Sequence, residues 1–241
     1  QSTGQAGGSC QENRGTLNPA FPPAARLPGG FFVRMQPPCD TVPMSYRHFP
    51  RDRFASMPWK NGGGMTREIF RFPEAADDWQ WRISIADIGA DGPFSAFPGY
   101  DRELLLLSGA GMRLQFADRS VTLQTPFDAT RFGGEEAVEA FLLDGPTSDF
   151  NAIWRRDAVA ISLERRAMTG SLWCIAEPGV SWFVYFLSGR GRIKSDPDCP
   201  AIEAGDGLWL YPQRDEPRLV LEAHGEALWL KVTAPQRSSR V

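Results

Sequence analysis

The sequence has very few of the residues that most often bind metals, with only two histidines among 241 residues. His48 precedes the strand-rich part of the chain and His224 lies beside a glycine in "EAHGEAL", so the two form no H-x-H pair. Transition-metal sites in β-barrel enzymes usually combine two or three imidazoles with a carboxylate. We therefore predict no metal site and interpret both histidines as surface residues. A site made from Asp, Glu and Cys is the open alternative.

Cysteine and long apolar runs are scarce as well. The four cysteines, at positions 10, 39, 174 and 199, show no C-x-x-C spacing, so a disulfide framework is not expected. The longest aliphatic run, Leu104 to Leu107, is too short to span a membrane. No charged head followed by an apolar stretch is present near residue 1, as a signal peptide would require. These features predict a cytoplasmic protein.

Neither charge nor motif indicates a large anionic partner or a familiar catalytic site. The net charge of −3 and the pI near 5.5 argue against nucleic acid or an anionic membrane as partner. No G-x-S-x-G motif is present, and the glycines of "KNGGGMT" lack the spacing of a phosphate-binding loop. The sequence thus assigns no catalytic residue and no cofactor, and it favours binding over catalysis.

What is present is enough for a folded protein, since hydrophobic residues make up 42% of the chain and include eight Trp and sixteen Phe. Residues 1–43 are rich in Gly, Pro, Gln, Ser and Ala and show no periodicity, which predicts a disordered leader or a misassigned extension before Met44. Residues 236–241 are predicted to form a C-terminal tail.

From Thr66 onward, short strand patterns are separated by Gly, Pro and Asp, which predicts an all-β, antiparallel fold. The segment "WRISIADI" alternates strictly, as a strand with one buried face does. Its core face is predicted to carry Trp81, Ile83 and Ile85, and its other face Arg82, Ser84 and Ala86.

An internal repeat suggests two similar halves. "LLLLSGAGMRLQF" recurs as "VYFLSGRGRIKSD", with Ser108-Gly109 and Ser188-Gly189 separated by 80 residues. We interpret each copy as a glycine hairpin inside one small barrel or jelly roll. The predicted barrels cover residues 44–150 and 151–235.

Three long motifs carry a resemblance to a known family: "WKNGGGMTREI", "WRISIADIGADGPFSAFPGYDRELLLLSGAGMRL" and "DFNAIWRR". Together they resemble the HutD/Ves family of bacterial bicupins, whose genes often lie with those for histidine utilisation. The resemblance covers about Ser45 to Thr233. It implies two tandem cupin barrels and a role that is usually described as regulatory.

The stretch "PWKNGGGMTREIF" is the first candidate for a binding site. Gly62, Gly63 and Gly64 can bring backbone amides close to a ligand, while Lys60 and Asn61 offer a cation and an amide for a carboxylate. A plain turn, with Trp59 packed in the core and Lys60 in solvent, is the alternative. The other candidates lie on or beside predicted strands: Thr66, Glu68, Arg82, Ser84, Arg102, Asp149 and Asn151.

The strand candidates have structural alternatives too. Arg102 either clamps a carboxylate or forms a salt bridge with Asp101 or Glu103. Asp149 and Asn151 either bind the ligand or cap a turn between the two halves.

These features predict a metal-independent protein that binds a small carboxylate metabolite. The family resemblance implies an intermediate of histidine degradation and a regulatory or buffering role, with a homodimer as a further option. The alternative is a metal-free isomerase or hydrolase that uses Glu68 or Asp149 as a base. A structural or protein-interaction module is a third reading.

Overall fold

The computed structural model describes residues 44–212 and 218–235, so the predicted leader and C-terminal tail lie outside the described residues. All regular structure in the described part is β-strand, apart from one short 3₁₀ helix at Arg51–Arg53. The all-β prediction is confirmed. The strands are β1 Met44–Phe49, β2 Ala55–Pro58, β3 Gly64–Phe72, β4 Trp81–Ile88, β5 Gly92–Pro93, β6 Tyr100–Gly109, β7 Met112–Gln115, β8 Ser120–Leu123, β9 Ala129–Gly133, β10 Glu139–Leu142, β11 Thr147–Arg155, β12 Ala160–Ile175, β13 Val180–Ile193, β14 Ile202–Glu203, β15 Gly207–Pro212 and β16 Arg218–Thr233.

The strands form three sheets in which every described pair is antiparallel. Sheet I has the order β2-β3-β4-β11-β6-β9, sheet II the order β5-β10-β7-β8, and sheet III the order β1-β15-β13-β16-β12 with β14 paired to β13. In none of the three described sheets does the last strand pair with the first, so no described sheet closes into a barrel. Two closed barrels, as predicted, are therefore not confirmed.

The internal repeat corresponds to a β-bulge followed by a bend. Leu107 on β6 and Leu187 on β13 are each skipped by the pairing with the neighbouring strand. Two residues further on, Gly109 and Gly189 both have positive φ, at 97° and 76°. The chain bends here because a bulge adds twist and glycine tolerates this backbone conformation.

The predicted glycine hairpins are wrong in both copies. In the first, β6 ends at Gly109 and pairs within sheet I, whereas β7 begins at Met112 and pairs within sheet II. In the second, β13 continues through Gly189 and stays paired with β16 as far as Ile193. The equivalent glycine thus lies at the boundary between two sheets in the first copy and within one continuous strand in the second.

Sheet I is the central layer of the molecule. One face of sheet I packs against sheet III. Trp81, Ile83 and Ile85 from this face share a core cluster with Phe183 and Leu230 of sheet III. The predicted alternation of β4 is confirmed on this face. The opposite face packs in part against sheet II through Leu104, Leu106, Met112 and Leu114.

The chain order does not follow the two halves strictly. β1, near the start of the described chain, pairs with β15 in sheet III, and β11 runs through the predicted boundary at residues 150 and 151. The division into two barrels at that boundary stays a prediction. No helix in the described ranges is long and apolar enough to cross a membrane.

His48 is not the surface residue that the sequence analysis predicts. Its imidazole is mostly buried, and Nε2 lies 2.9 Å from Oδ2 of Asp206. Asp206 also accepts hydrogen bonds from the backbone N–H groups of Arg51 and Glu203. His48 therefore fastens β1 to the turn before β15, whereas His224 is exposed as predicted.

Candidate functional site

A cavity of about 550 Å³ opens on the face of sheet I that points away from sheet III. Strands β3, β4, β6 and β11 form its floor, and the β2–β3 turn and the β5 region form its walls. Seven of the predicted site residues line it: Lys60, Asn61, Thr66, Arg82, Ser84, Arg102 and Asn151.

The register of sheet I explains why distant residues meet there. Ile153 on β11 is opposite Arg82 on β4 and opposite Arg102 on β6. Residues paired across neighbouring strands point to the same face. Two arginines separated by a single strand therefore share the cavity floor. Ser84 and Asn151 form the next pair on the same face.

Arg102 is the most unusual of these side chains, because it carries a charge and yet only 7% of it is exposed. Its Nε donates a 2.7 Å hydrogen bond to Oδ1 of Asn151. The guanidinium lies over the rings of Phe94 and Phe132, at 4.5 and 5.5 Å from their centroids. Within the described residues it forms no ion pair. The predicted alternative of a salt bridge to Asp101 or Glu103 is wrong, since Asp101 pairs with other arginines.

Asp149 lies behind Asn151, with no exposed surface. Its Oδ1 accepts a hydrogen bond from Nδ2 of Asn151, and its Oδ2 has no partner among the described residues. Burial raises the pKa of Asp149 to about 7, against the opposing effect of the Arg102 charge. Burial also lowers the pKa of Arg102 to about 10, which leaves it charged at neutral pH. Both Asp149 and Asn151 lie inside β11, so neither caps a linker turn.

Glu68 balances the second arginine. Its carboxylate lies 2.7 Å from Nε of Arg82 and 3.2 Å from Nε of Arg71. Neither Glu68 nor Asp149 lines the cavity. Among the described lining residues there is no Asp, Glu or His, and the described residues contain no cluster of such side chains that could hold a metal ion.

The triple glycine does not form the amide cradle that the sequence suggests. The N–H of Gly62 donates to the carbonyl of Trp59 at 3.0 Å, and the N–H of Gly63 donates to Oδ1 of Asn61 at 3.1 Å. All three glycines line a second, more open cavity of about 550 Å³ beside Thr147 and Ser148. Whether they contact a ligand stays a prediction.

The turn instead orients its neighbours. Trp59 is half-buried, donates from Nε1 to Oγ1 of Thr66 at 2.8 Å, and packs edge-to-face on Phe94. Lys60 is exposed at the rim. Both features of the plain-turn alternative are present, but in a turn that borders the cavity.

Sequence reasoning missed the apolar part of the lining. Phe94 and Phe97 come from "DGPFSAFPGY", inside the second family motif, and Ile153 comes from the motif "DFNAIWRR". Two aromatic residues within a Pro- and Gly-rich loop were the available signal, because solvent-exposed loops rarely need them.

Comparisons with known proteins agree with this fold. The HutD family model matches residues 51–229. HutD from Pseudomonas fluorescens SBW25 is 27% identical, with 79% of this chain and 100% of that chain covered and a TM-score of 0.65. A conserved protein of unknown function from Pseudomonas aeruginosa PAO1 is 30% identical, with 78% and 98% covered and a TM-score of 0.66.

Sequence comparison identifies a further relative. An uncharacterised 21.2 kDa protein in the hutC 3' region of Pseudomonas putida is 48% identical over 102 residues. That match covers 42% of this chain and 54% of the relative, so the chain spans about half of its length. Because the family model matches well over half of the present chain, the protein belongs to the HutD family.

Proposed function

We propose that this protein binds a small carboxylate metabolite, without a metal ion, in the cavity on sheet I. The observation that supports this most is the buried Arg102, whose charge meets a neutral amide rather than a carboxylate at hydrogen-bond distance. A buried cation without an ion-pair partner is costly, and an anionic ligand would offset that cost. Arg82 and Lys60, on the same lining, add positive charge.

The lining also suggests the ligand's general form. A volume of about 550 Å³ suits a small metabolite. Arg102 would hold the carboxylate, while Ser84, Thr66 and Asn61 offer hydrogen bonds to further polar atoms. Phe94, Phe97 and Ile153 would pack against an apolar or planar portion.

The family and the P. putida relative, whose name places it in the hutC 3' region, support a role in histidine utilisation. We infer a regulatory or buffering role in the cytoplasm, with an intermediate of histidine degradation as ligand. The paired bends at Gly109 and Gly189 support a bicupin architecture, in which two related units have diverged in how their sheets connect.

A metal-free isomerase or hydrolase is the alternative function. Its base would be Asp149, since burial raises the pKa of this carboxyl to about 7, near the value that suits proton transfer. Asp149 is separated from the cavity by Asn151, however. Incubation of the protein with candidate carboxylates, followed by analysis of the products, separates binding from turnover.

The proposal is tested by calorimetric titration of formate, acetate and a panel of carboxylates from histidine breakdown. Arg102→Gln should weaken binding of the best carboxylate at least tenfold, because a hydrogen bond to a charged group contributes about 1.5–3 kcal/mol. The control is Arg113→Gln, which removes an exposed arginine from β7. Equal affinity in a folded Arg102→Gln protein would refute the proposal.

A further inference from the structure

The free edge of sheet III carries an unprotected segment. β12 is 16 residues long, stands at the end of the strand order and pairs only with β16 among the described strands. The N–H and C=O groups on its other side therefore meet no strand. A long open edge of this kind is a template for pairing with another chain unless charges or prolines block it.

The two ends of this edge differ in such protection. The first part of β12 contains Glu164, Arg165 and Arg166, which are charged and exposed. The last part of β12 with the residue after it, Ser171–Ala176 with the sequence "SLWCIA", has neither a charge nor a proline. The protective devices that edge strands normally carry are missing from this segment.

The same segment carries the most exposed large apolar side chains of the described residues. Trp173 is 60% exposed and Ile175 is 64% exposed, whereas Met57, Met65 and Leu143 reach only 40–43%. Being two residues apart, Trp173 and Ile175 lie on one face of the strand. Cys174, between them, points into the core of sheet III and holds the strand in place.

We propose that a second copy of this chain pairs antiparallel with this segment, about a two-fold axis at Cys174. Trp173 of each copy is then opposite Ile175 of the other, and symmetry forms this contact twice. Aromatic and β-branched residues are favourable cross-strand partners. The paired strands extend sheet III across both copies.

Moving the two-fold axis by one residue along β12 does not bring Trp173 opposite Ile175. An axis at Trp173 leaves Ile175 opposite Ser171, and an axis at Ile175 leaves Trp173 opposite Glu177. Only the axis at Cys174 places all four exposed apolar side chains against one another. This self-complementarity is the reason to assign a second copy rather than a different protein as the partner.

The first test is the mass of the full chain in solution. As the concentration rises from about 1 to about 100 µM, light scattering coupled to gel filtration should show the mass rising from one towards two times the chain mass of 26.7 kDa. The double variant Trp173→Lys, Ile175→Lys should raise the dimer dissociation constant at least 100-fold. The control is Leu143→Lys, which removes an apolar side chain that is 42% exposed elsewhere and should leave the dimer intact.

The second test locates the contact and does not depend on how the variant folds. Hydrogen exchange of those wild-type amides within Leu172–Ile175 that point away from β16 should slow as the protein concentration rises. A monomer throughout this range, a dimer that survives the double variant in folded form, or exchange that is independent of concentration would each overturn the proposal. Slow exchange at concentrations where light scattering shows a monomer would mean that the chain's own residues cover the edge, which also overturns it.

Discussion

At the residue scale, the two arginines on the cavity floor have different partners: one has a carboxylate and the other a neutral amide. Arg82 meets Glu68 at 2.7 Å. Arg102 donates a hydrogen bond to the amide oxygen of Asn151. The amide nitrogen of Asn151 in turn donates to the carboxyl group of Asp149. When Asp149 is protonated, Arg102 keeps an unbalanced positive charge. The state of one buried carboxyl thus sets how strongly the floor attracts an anion.

The protonation of Asp149 makes stability depend on pH. Because burial raises its pKa to about 7 in the folded chain, from an ordinary value near 4, the folded state holds a proton that the unfolded state has lost between these limits. The free energy of unfolding should therefore fall as pH rises from about 4 to about 7, by up to about 1.4 kcal/mol per pH unit from this group. Arg102 and Asp87 are the charged groups that act on it.

Urea denaturation of the wild type and of Asp149→Asn at several pH values measures this effect. Asp149→Asn should lose this part of the pH dependence, whereas Asp52→Asn, a change at an exposed position, should keep it. Parallel pH curves for the wild type and Asp149→Asn would contradict the prediction.

Lys60 should matter far less than Arg102, because it is exposed at the rim. Exposed charge pairs are weak and screened by salt, typically contributing about 0.2–1 kcal/mol. Lys60→Ala should therefore weaken carboxylate binding by roughly threefold or less at physiological salt, with the difference disappearing near 1 M salt. Calorimetric titration at both salt concentrations checks this. A tenfold loss that persists at high salt would show that Lys60 closes over the ligand.

At the element scale, glycines at bends decide how the strands connect. Gly109, Gly189 and Gly225 all have positive φ, and a Cβ at any of them would clash with the backbone of a neighbouring strand. In the first half the strands end at this bend, and the loop residues Ala110 and Gly111 lead into sheet II. In the second half the strands pass through it unbroken.

The triple glycine shows that neighbouring glycines differ in their requirements. Gly62 has a φ of 73°, and a Cβ on Gly64 would lie 2.7 Å from the carbonyl oxygen of Asp87 and 3.1 Å from the Trp59 ring. Gly63 has neither restriction, since its nearest neighbour is an Asn61 side-chain atom at 3.4 Å. Neither the backbone conformation nor the space at Gly63 therefore requires glycine.

Substitutions in this turn should follow that difference. Gly64→Val should lower the free energy of unfolding by about 1–3 kcal/mol or more, since overpacking forces the backbone to shift. It should also weaken carboxylate binding by displacing Trp59. Gly63→Ala, the matched control, should change stability by about 1 kcal/mol or less. Urea denaturation and titration of both variants test this, and equal effects would contradict it.

At the scale of the whole molecule, sheets I and III share one apolar interface. Phe183 on β13 is fully buried, and its ring lies 6.0 Å from Phe49 and 6.2 Å from Trp81, measured between centroids. β1 adds to sheet III from the N-terminal side of the chain. Sheets I and III therefore stabilise each other, and we expect them to unfold together.

Phe183→Ala tests this cooperation. Removing a buried phenylalanine should cost about 3–5 kcal/mol. Tryptophan fluorescence and far-ultraviolet circular dichroism should still report one coincident transition in urea. Leu143→Ala, at an exposed position, should cost little. Two separate transitions in the wild type would show that sheets I and III are independent.

The sequence by itself determined the fold class, the family and the polar residues of the cavity floor. The family follows from the resemblance of three long motifs, whereas the face of each strand residue follows from alternation, which needs no knowledge of the partners. Alternation predicts that Arg82 and Ser84 lie on one face of β4 and that Trp81 and Ile83 lie on the other, and the structure confirms this.

Only the tertiary structure decided which candidates meet. The register that sets Ile153 between Arg82 and Arg102 joins β4, β6 and β11, and no local pattern specifies such pairing over 70 residues of chain. Local sequence also could not show that Gly62 and Gly63 use their amides within the turn, or that one bend glycine ends a strand while its repeat does not. Each of these depends on where a neighbouring strand's backbone lies, and that position is set by the packing of the whole chain.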